Sequence, residues 1–161
     1  MKLFMKIFSA FFCLFFLNVF QIANALEAGK WIFVDENEYC YIGSLPTSTD
    51  LSEEKKRGDT YILVYRMIGQ NEVVVQIEAG YNYDLEKDIV VKIDNNRYIF
   101  YSVADLLDSA WTDDDDKVIL AMKKGLELVV TGQSSRGTVT NDNYTLKGFT
   151  AAFNKLNTEC K

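Results

Sequence analysis

Few side chains in this chain are equipped for chemistry, and one type is missing: none of its 161 residues is a histidine. That excludes Ser-His-Asp and Cys-His nucleophile systems, histidine zinc sites and the commonest general base. Three candidate groups remain. The run Asp113-Asp114-Asp115-Asp116 offers hard oxygen ligands. It lacks the alternating positions and central glycine of a calcium loop, and a helix N-terminus attracts acids in any case. The many other acids leave a carboxylate-pair hydrolase formally open, but acids scattered over a surface are the simpler account. The third group is Ser134-Ser135-Arg136-Gly137, a turn preceded by Gly132. Its backbone amides and Arg136 could line an anion-binding nest, whereas as a plain turn it needs only Gly137 at positive φ. No catalytic residue, metal ligand or cofactor is assigned, and the chain reads as a non-enzyme.

Cysteine usage points to export. Met1 to Lys6 carries two lysines, residues 7–20 are almost wholly apolar, and Ala23-Asn24-Ala25 supplies small residues at alternate positions. These are the three parts of a secretory signal peptide, so residues 1–25 are expected to be cleaved. The apolar run is shorter than the roughly 20 residues a membrane span needs. Cys13 leaves with the leader. Cys40 and Cys160 remain in a chain entering an oxidising compartment, which predicts one intramolecular Cys40–Cys160 disulfide. Residues 26–161 then form a single domain, large enough for one real core.

Charge narrows the partners. Without the two leader lysines, 15 basic residues face 23 acidic ones, a net −8. A negative surface repels phosphate backbones and anionic headgroups, so nucleic acid is not expected, and Lys55-Lys56-Arg57 is the only basic cluster that offsets it. Arg57-Gly58-Asp59 matches a short integrin-binding tripeptide, and Asn143-Tyr144-Thr145 a glycosylation sequon. Both are short enough to arise by chance. Trp31 and Trp111 could floor a ligand surface, although in a small β domain most aromatics are core.

The elements that must position these groups are mostly strands. Residues 31–34 and 38–42 read as two strands around the polar turn Asp35-Glu36-Asn37, and Pro46 ends the second because it lacks an N–H. Residues 47–59 read as a long polar loop. Residues 61–68, rich in branched and aromatic side chains, form a central strand. Val73, Val75, Ile77 and Ala79 alternate with polar residues, as in a half-buried antiparallel strand. Residues 89–93 and 97–101 make a hairpin around Asp94-Asn95-Asn96. Residues 104–111 are ambiguous, with a short helical turn leading to a buried Trp111 as the reading adopted. Residues 117–124 are a helix: acids precede it, lysines end it and Gly125 follows. Strands at 126–132 and 138–146 flank the Ser134–Gly137 turn. Phe149, Phe153, Leu156 and Cys160 share one face of a final helix, which aims the cysteine at the sheet holding Cys40. About eight strands and two short helices predict an antiparallel β-sandwich with the helices over an edge or end.

Taken together, the residues resemble the invasion-associated locus B family of exported bacterial proteins. The most specific stretches are Ala121-Met122-Lys123-Lys124-Gly125, Val130-Thr131-Gly132, Ser134-Ser135-Arg136-Gly137-Thr138, Tyr144-Thr145-Leu146 and Gly148-Phe149-Thr150-Ala151-Ala152, followed by Cys160. Cys40-Tyr41-Ile42 before Pro46, Arg57-Gly58-Asp59 before Leu63-Val64, and the strand from Val73 to Ile77 also fit. The family often has glycine where this chain has Asn95-Asn96, and an Asp-Gly-rich approach to the tryptophan where it has residues 103–110. The resemblance implies an immunoglobulin-like β-sandwich in the periplasm or at the outer membrane, linked in some pathogens to host-cell invasion. The reading adopted is action through contact with an envelope or host-surface protein, with no membrane span in the mature chain. A monomer is expected.

Overall fold

A computed structural model describes residues 25–161, so the leader expected over residues 1–25 lies, except for Ala25, outside the described residues. Ten strands form one continuous antiparallel sheet. In chain order they are β1 (Ile32–Asp35), β2 (Tyr39–Ser44), β3 (Ser48–Thr49), β4 (Tyr61–Met67), β5 (Val74–Glu78), β6 (Ile89–Ile93), β7 (Asn96–Val103), β8 (Leu106–Trp111), β9 (Glu127–Gln133) and β10 (Val139–Thr145). Two helices complete the domain, α1 (Asp115–Lys124) and α2 (Phe149–Glu159). The spatial order is β1-β2-β4-β5-β8-β7-β6-β9-β10-β3. Because β3 continues β2 around the corner at Pro46 and pairs with β10, the sheet curls back towards its own first strands.

The expected mainly β, antiparallel domain with two short helices is present, one helix at the C-terminus. Its strands differ from a pair of separate sheets because residues 106–111, read as a helical turn, form β8. This strand pairs with β5 on one side and β7 on the other and joins the two halves of the ladder. Pairing with two neighbours satisfies backbone groups that a lone helical turn would leave open, so tertiary context outweighs the weak local preference. Trp111 is half-buried rather than buried.

One core fills the curl. Ile42, Ile62, Val64, Val75 and Ile77 from the first half meet Ile89, Val91, Ile93, Phe100, Leu128 and Val130 from the second. The period-2 pattern of β5 holds, with Val75, Ile77 and Ala79 buried. The β6–β7 turn consists of Asp94 and Asn95, and the left-handed residue is Asp94, at φ 49°, rather than an asparagine. The Asp94 carboxylate accepts from the N–H groups of Leu126 and Glu127, which ties the turn to the start of β9.

Both helices pack against the first half of the sheet and against each other. Val118, Ile119 and Met122 of α1 are buried, as are Phe149, Ala152, Phe153 and Leu156 of α2. Gly125 ends α1 for a packing reason: its φ is −80°, and an added Cβ would lie 2.7 Å from Ile93 Cγ2 and 2.9 Å from Leu146 Cδ1. At the far end of α2, Cys160 is bonded to Cys40 of β2, with Cα atoms 5.7 Å apart and 120 positions between them in sequence.

Gly80 holds the loop after β5 against the loop before β4. Its φ is +69°, and a Cβ would sit 2.4 Å from the Gly58 carbonyl oxygen, which is backbone and cannot swing away. The Gly58 N–H donates to the Gly80 carbonyl at 2.8 Å. Gly80→Ala is therefore expected to destabilise by more than the ~1–2 kcal/mol of a left-handed alanine. Urea unfolding is the check, with Gly69→Ala as the comparison: Gly69 shares the positive φ, but an added Cβ meets nothing within 4 Å.

Candidate functional site

The polar loop between β3 and β4 is strapped to β10. Asp50 accepts from the backbone N–H and side-chain amide of Asn141, at 2.7 and 2.6 Å, and these hydrogen bonds hold its carboxyl below the usual carboxylate range. At the loop's other end, the Arg57 guanidinium donates to both oxygens of Asp142, one at 2.8 Å, and also to Thr49 Oγ1 at 3.2 Å. The side chains of this pair are only 10% and 4% exposed. Burial opposes the arginine's charge, and the bonds to Asp142 overcome it, so the guanidinium is held more firmly protonated than usual.

Strapping the loop down creates a cleft of about 580 Å³ between it and the β9–β10 hairpin. The loop contributes Lys55, Lys56 and Arg57; the hairpin contributes Ser134, Ser135, Arg136 and Thr138; Tyr81 and Asn82 lie between them. Lys55 Nζ reaches the hairpin and donates to Thr138 Oγ1 at 3.2 Å. Four cations line the cleft and no carboxylate does, in a domain whose acids outnumber its bases. Asp142 neutralises Arg57. Among the described residues, Lys55, Lys56 and Arg136 are in no ion pair.

The Ser134–Gly137 turn sits at this cleft, but three of its four amides are already committed. Ser134 N–H donates to the Thr138 carbonyl, Ser135 N–H to the Asn82 carbonyl and Gly137 N–H to the Ser134 carbonyl, each at 2.8 Å. Ser134 Oγ accepts from the Thr138 N–H. Gly137 takes the positive φ that the turn calls for, +83°. Side chains, Arg136 foremost, are what the turn presents to the cleft.

Other sequence candidates have structural partners. Arg57 of the Arg-Gly-Asp triplet is turned inward onto Asp142 and is not displayed for an integrin. The aspartate run is dispersed: Asp113 accepts from the Tyr101 hydroxyl, Asp114 pairs with Lys117, and Asp115 accepts from the Val75 N–H. Among the described residues, no group of three His, Cys, Asp or Glu side chains could hold a metal ion. The Asn143 amide donates to Ser48 Oγ on β3. Trp31 Nε1 donates to the Thr145 carbonyl at 2.9 Å, and the ring meets Phe149 edge-on at 4.9 Å, so it serves the core.

Sequence reading missed Asp142 and Glu78. Asp142 lies on the inward side of β10 with Thr140 and Tyr144, and an acid at an inward strand position implies a buried cation. Glu78 faces outward on β5 in a shallower neighbouring pocket with Asp59 and Asp108. It accepts from Ser109 Oγ at 2.7 Å, and Gln76 donates to the same hydroxyl. Burial raises the Glu78 carboxyl to about 7, with Asp108 adding repulsion. A carboxyl that binds its proton more tightly when folded favours the fold at low pH. This contribution is lost as pH rises from about 4.5, its ordinary value, through about 7. Glu78→Gln is expected to flatten the pH dependence of stability across that interval and to raise stability at pH 8. Urea midpoints measured from pH 4 to 8 test this, and parallel curves for the two proteins would refute it.

No helix among the described residues is long and apolar enough to cross a membrane. No curated protein sequence matches the chain significantly. Among solved structures, it resembles the crystal structure of invasion associated protein B from Bartonella henselae, with a TM-score of 0.56 and 14% identity over 80% of this chain and 92% of that one. At that identity the likeness speaks for the fold. The family model for invasion associated locus B (IalB) protein matches residues 34–157, which span β2 to β10 and nearly all of α2. The chain belongs to the invasion associated locus B family.

Proposed function

We propose that this protein is an exported, non-enzymatic component of the cell envelope that works through protein contacts. It acts as a monomer in the periplasm or at the outer membrane, and its partner is an envelope or host-surface protein. Host-cell invasion, the process in the family's name, is the role this reading carries forward. The observation that carries the contact reading is the outward side of β7 and β8. Ile99, Tyr101, Val103 and Leu106 are 47%, 43%, 40% and 51% exposed, and they follow one another on one side of the strands. A grouped run of exposed apolar side chains marks an interaction surface more often than scattered single ones do. The expected leader, the disulfide and the absence of histidine support the same reading.

Crosslinking intact envelopes and purifying the tagged mature protein tests it. A specific protein partner is expected with the wild type and is lost with Ile99→Asp, a substitution at an exposed position that leaves the core intact. Recovery only from the cytoplasm, or free monomer with no partner in the periplasm, overturns the contact reading.

A second reading, a module that binds a small anion, is favoured by the basic cleft. The two are separable, since the cleft and the β7–β8 surface share no residue.

A further inference from the structure

Resting on the anion-binding reading, we infer that the cleft between the 51–57 loop and the β9–β10 hairpin takes a polyanion carrying two or more phosphate groups. Lys55 and Lys56 serve one wall, and Arg136 serves the other.

Three observations lead there. First, the charges are unspent. Lys55, Lys56 and Arg136 have no carboxylate partner among the described residues, and the cleft wall contains none. Three cations held near one another repel, and an anion removes that cost. Second, the cations are supplied from opposite sides, the lysines by the loop and Arg136 by the hairpin, with Lys55 Nζ reaching over to Thr138 Oγ1. The loop is pinned at Asp50 and Arg57, and the hairpin tip is held by its own turn bonds. A single small oxyanion can neutralise one wall, whereas a ligand with separated charges engages both. Third, the remaining lining is mostly hydrophilic: Ser135 and Thr138 offer hydroxyls and Asn82 an amide, while Leu51 is the one aliphatic side chain and Tyr81, its hydroxyl bonded to Thr140, the one aromatic. Protein hot spots are built on aromatic and aliphatic anchors in dry pockets, and this cleft has little of that kind. Its volume of about 580 Å³ lies within the range of small-molecule sites. Lysine and arginine with hydroxyl donors make a phosphate-binding set, arginine adding its planar fork.

The phosphates could belong to a soluble metabolite or to a lipid headgroup, and the experiment separates the two. Tripolyphosphate, inorganic phosphate and acetate are titrated into the mature, disulfide-bonded protein by calorimetry at low ionic strength. Phosphatidylcholine vesicles with and without cardiolipin, whose headgroup carries two phosphates, are tested by co-sedimentation. Tripolyphosphate is expected to bind at least tenfold more tightly than inorganic phosphate, and its affinity should fall steeply with added salt. Arg136→Gln and a Lys55→Gln, Lys56→Gln double variant should each weaken it by about tenfold or more, the loss of a charge-assisted hydrogen bond. Lys92→Gln, on β6 and outside the cleft, removes the same single charge as Arg136→Gln and should leave the affinity unchanged. Arg136 and both lysines are exposed, so these variants keep the fold.

Equal affinity for inorganic phosphate and tripolyphosphate, with the same variant pattern, overturns the polyanion while the anion site stands. No binding of any anion, or equal losses in Lys92→Gln and Arg136→Gln, overturns both. Tripolyphosphate binding with no sedimentation on cardiolipin vesicles supports a soluble ligand. Sedimentation that Arg136→Gln abolishes supports a headgroup.

Discussion

Replacing both Cys40 and Cys160 with serine lowers the unfolding free energy by about 5 kcal/mol, the chain-entropy value for a loop of 120 residues. Small domains are stable by only ~5–15 kcal/mol, so the variant is expected to sit near its folding threshold at 37 °C. The size of the effect follows from where the ends lie. Cys40 is on β2, beside the first strand, and Cys160 ends the last helix, so the bond encloses nearly the whole domain. It fixes α2 over β1 and β2, where Phe149, Phe153 and Leu156 reach the core and Arg66 donates to Asn157 at 2.7 Å. Without the bond, α2 should be the first element to detach. Urea unfolding with and without reductant measures the loss, and amide exchange locates it. A change below ~1 kcal/mol, or protection lost first in β9 and β10, would count against this account.

Asp142→Ala should cost ~3–5 kcal/mol, because it leaves the Arg57 guanidinium buried with no counter-charge. Arg57→Ala should cost a similar amount, because it leaves the Asp142 carboxylate buried with no counter-charge. The double variant Arg57→Leu, Asp142→Leu should recover part of the loss, since two apolar side chains leave no unpaired charge. A thermodynamic cycle over the four proteins isolates the pair. The single variants should also free the Arg57 end of the 51–57 loop, which stays held at Asp50, and loosen Lys55 and Lys56, so anion binding should weaken although neither lysine is altered. Additive losses, with the double variant worst of all, would show that the pair does not act as a unit.

Most elements were legible because their cause is local. The alternation of Val73, Val75, Ile77 and Ala79 states which side of β5 is buried. The four-three-four spacing of Phe149, Phe153, Leu156 and Cys160 states which face of α2 is turned inward. The acids before α1 and the lysines at its end mark that helix at both termini. β8 escaped because Ala104-Asp105 followed by two leucines carries no clear period, and what makes it a strand is the edges of β5 and β7 awaiting a partner. β3 escaped for the same reason: two residues have no pattern, only a place beside β10.

The candidate site divides along the same line. Composition and spacing alone carry the expectation of a leader, the lack of histidine chemistry, a basic cluster at 55–57 and a turn carrying Arg136, since each is a property of composition or of residues near one another in sequence. That the cluster and the turn face each other, and that Arg57 is spent on Asp142 while its two neighbours are not, follow from contacts across 83 and 85 positions. Such contacts depend on how β9 and β10 meet the loop. A sheet that returns on itself brings distant residues together by register, which no local preference encodes.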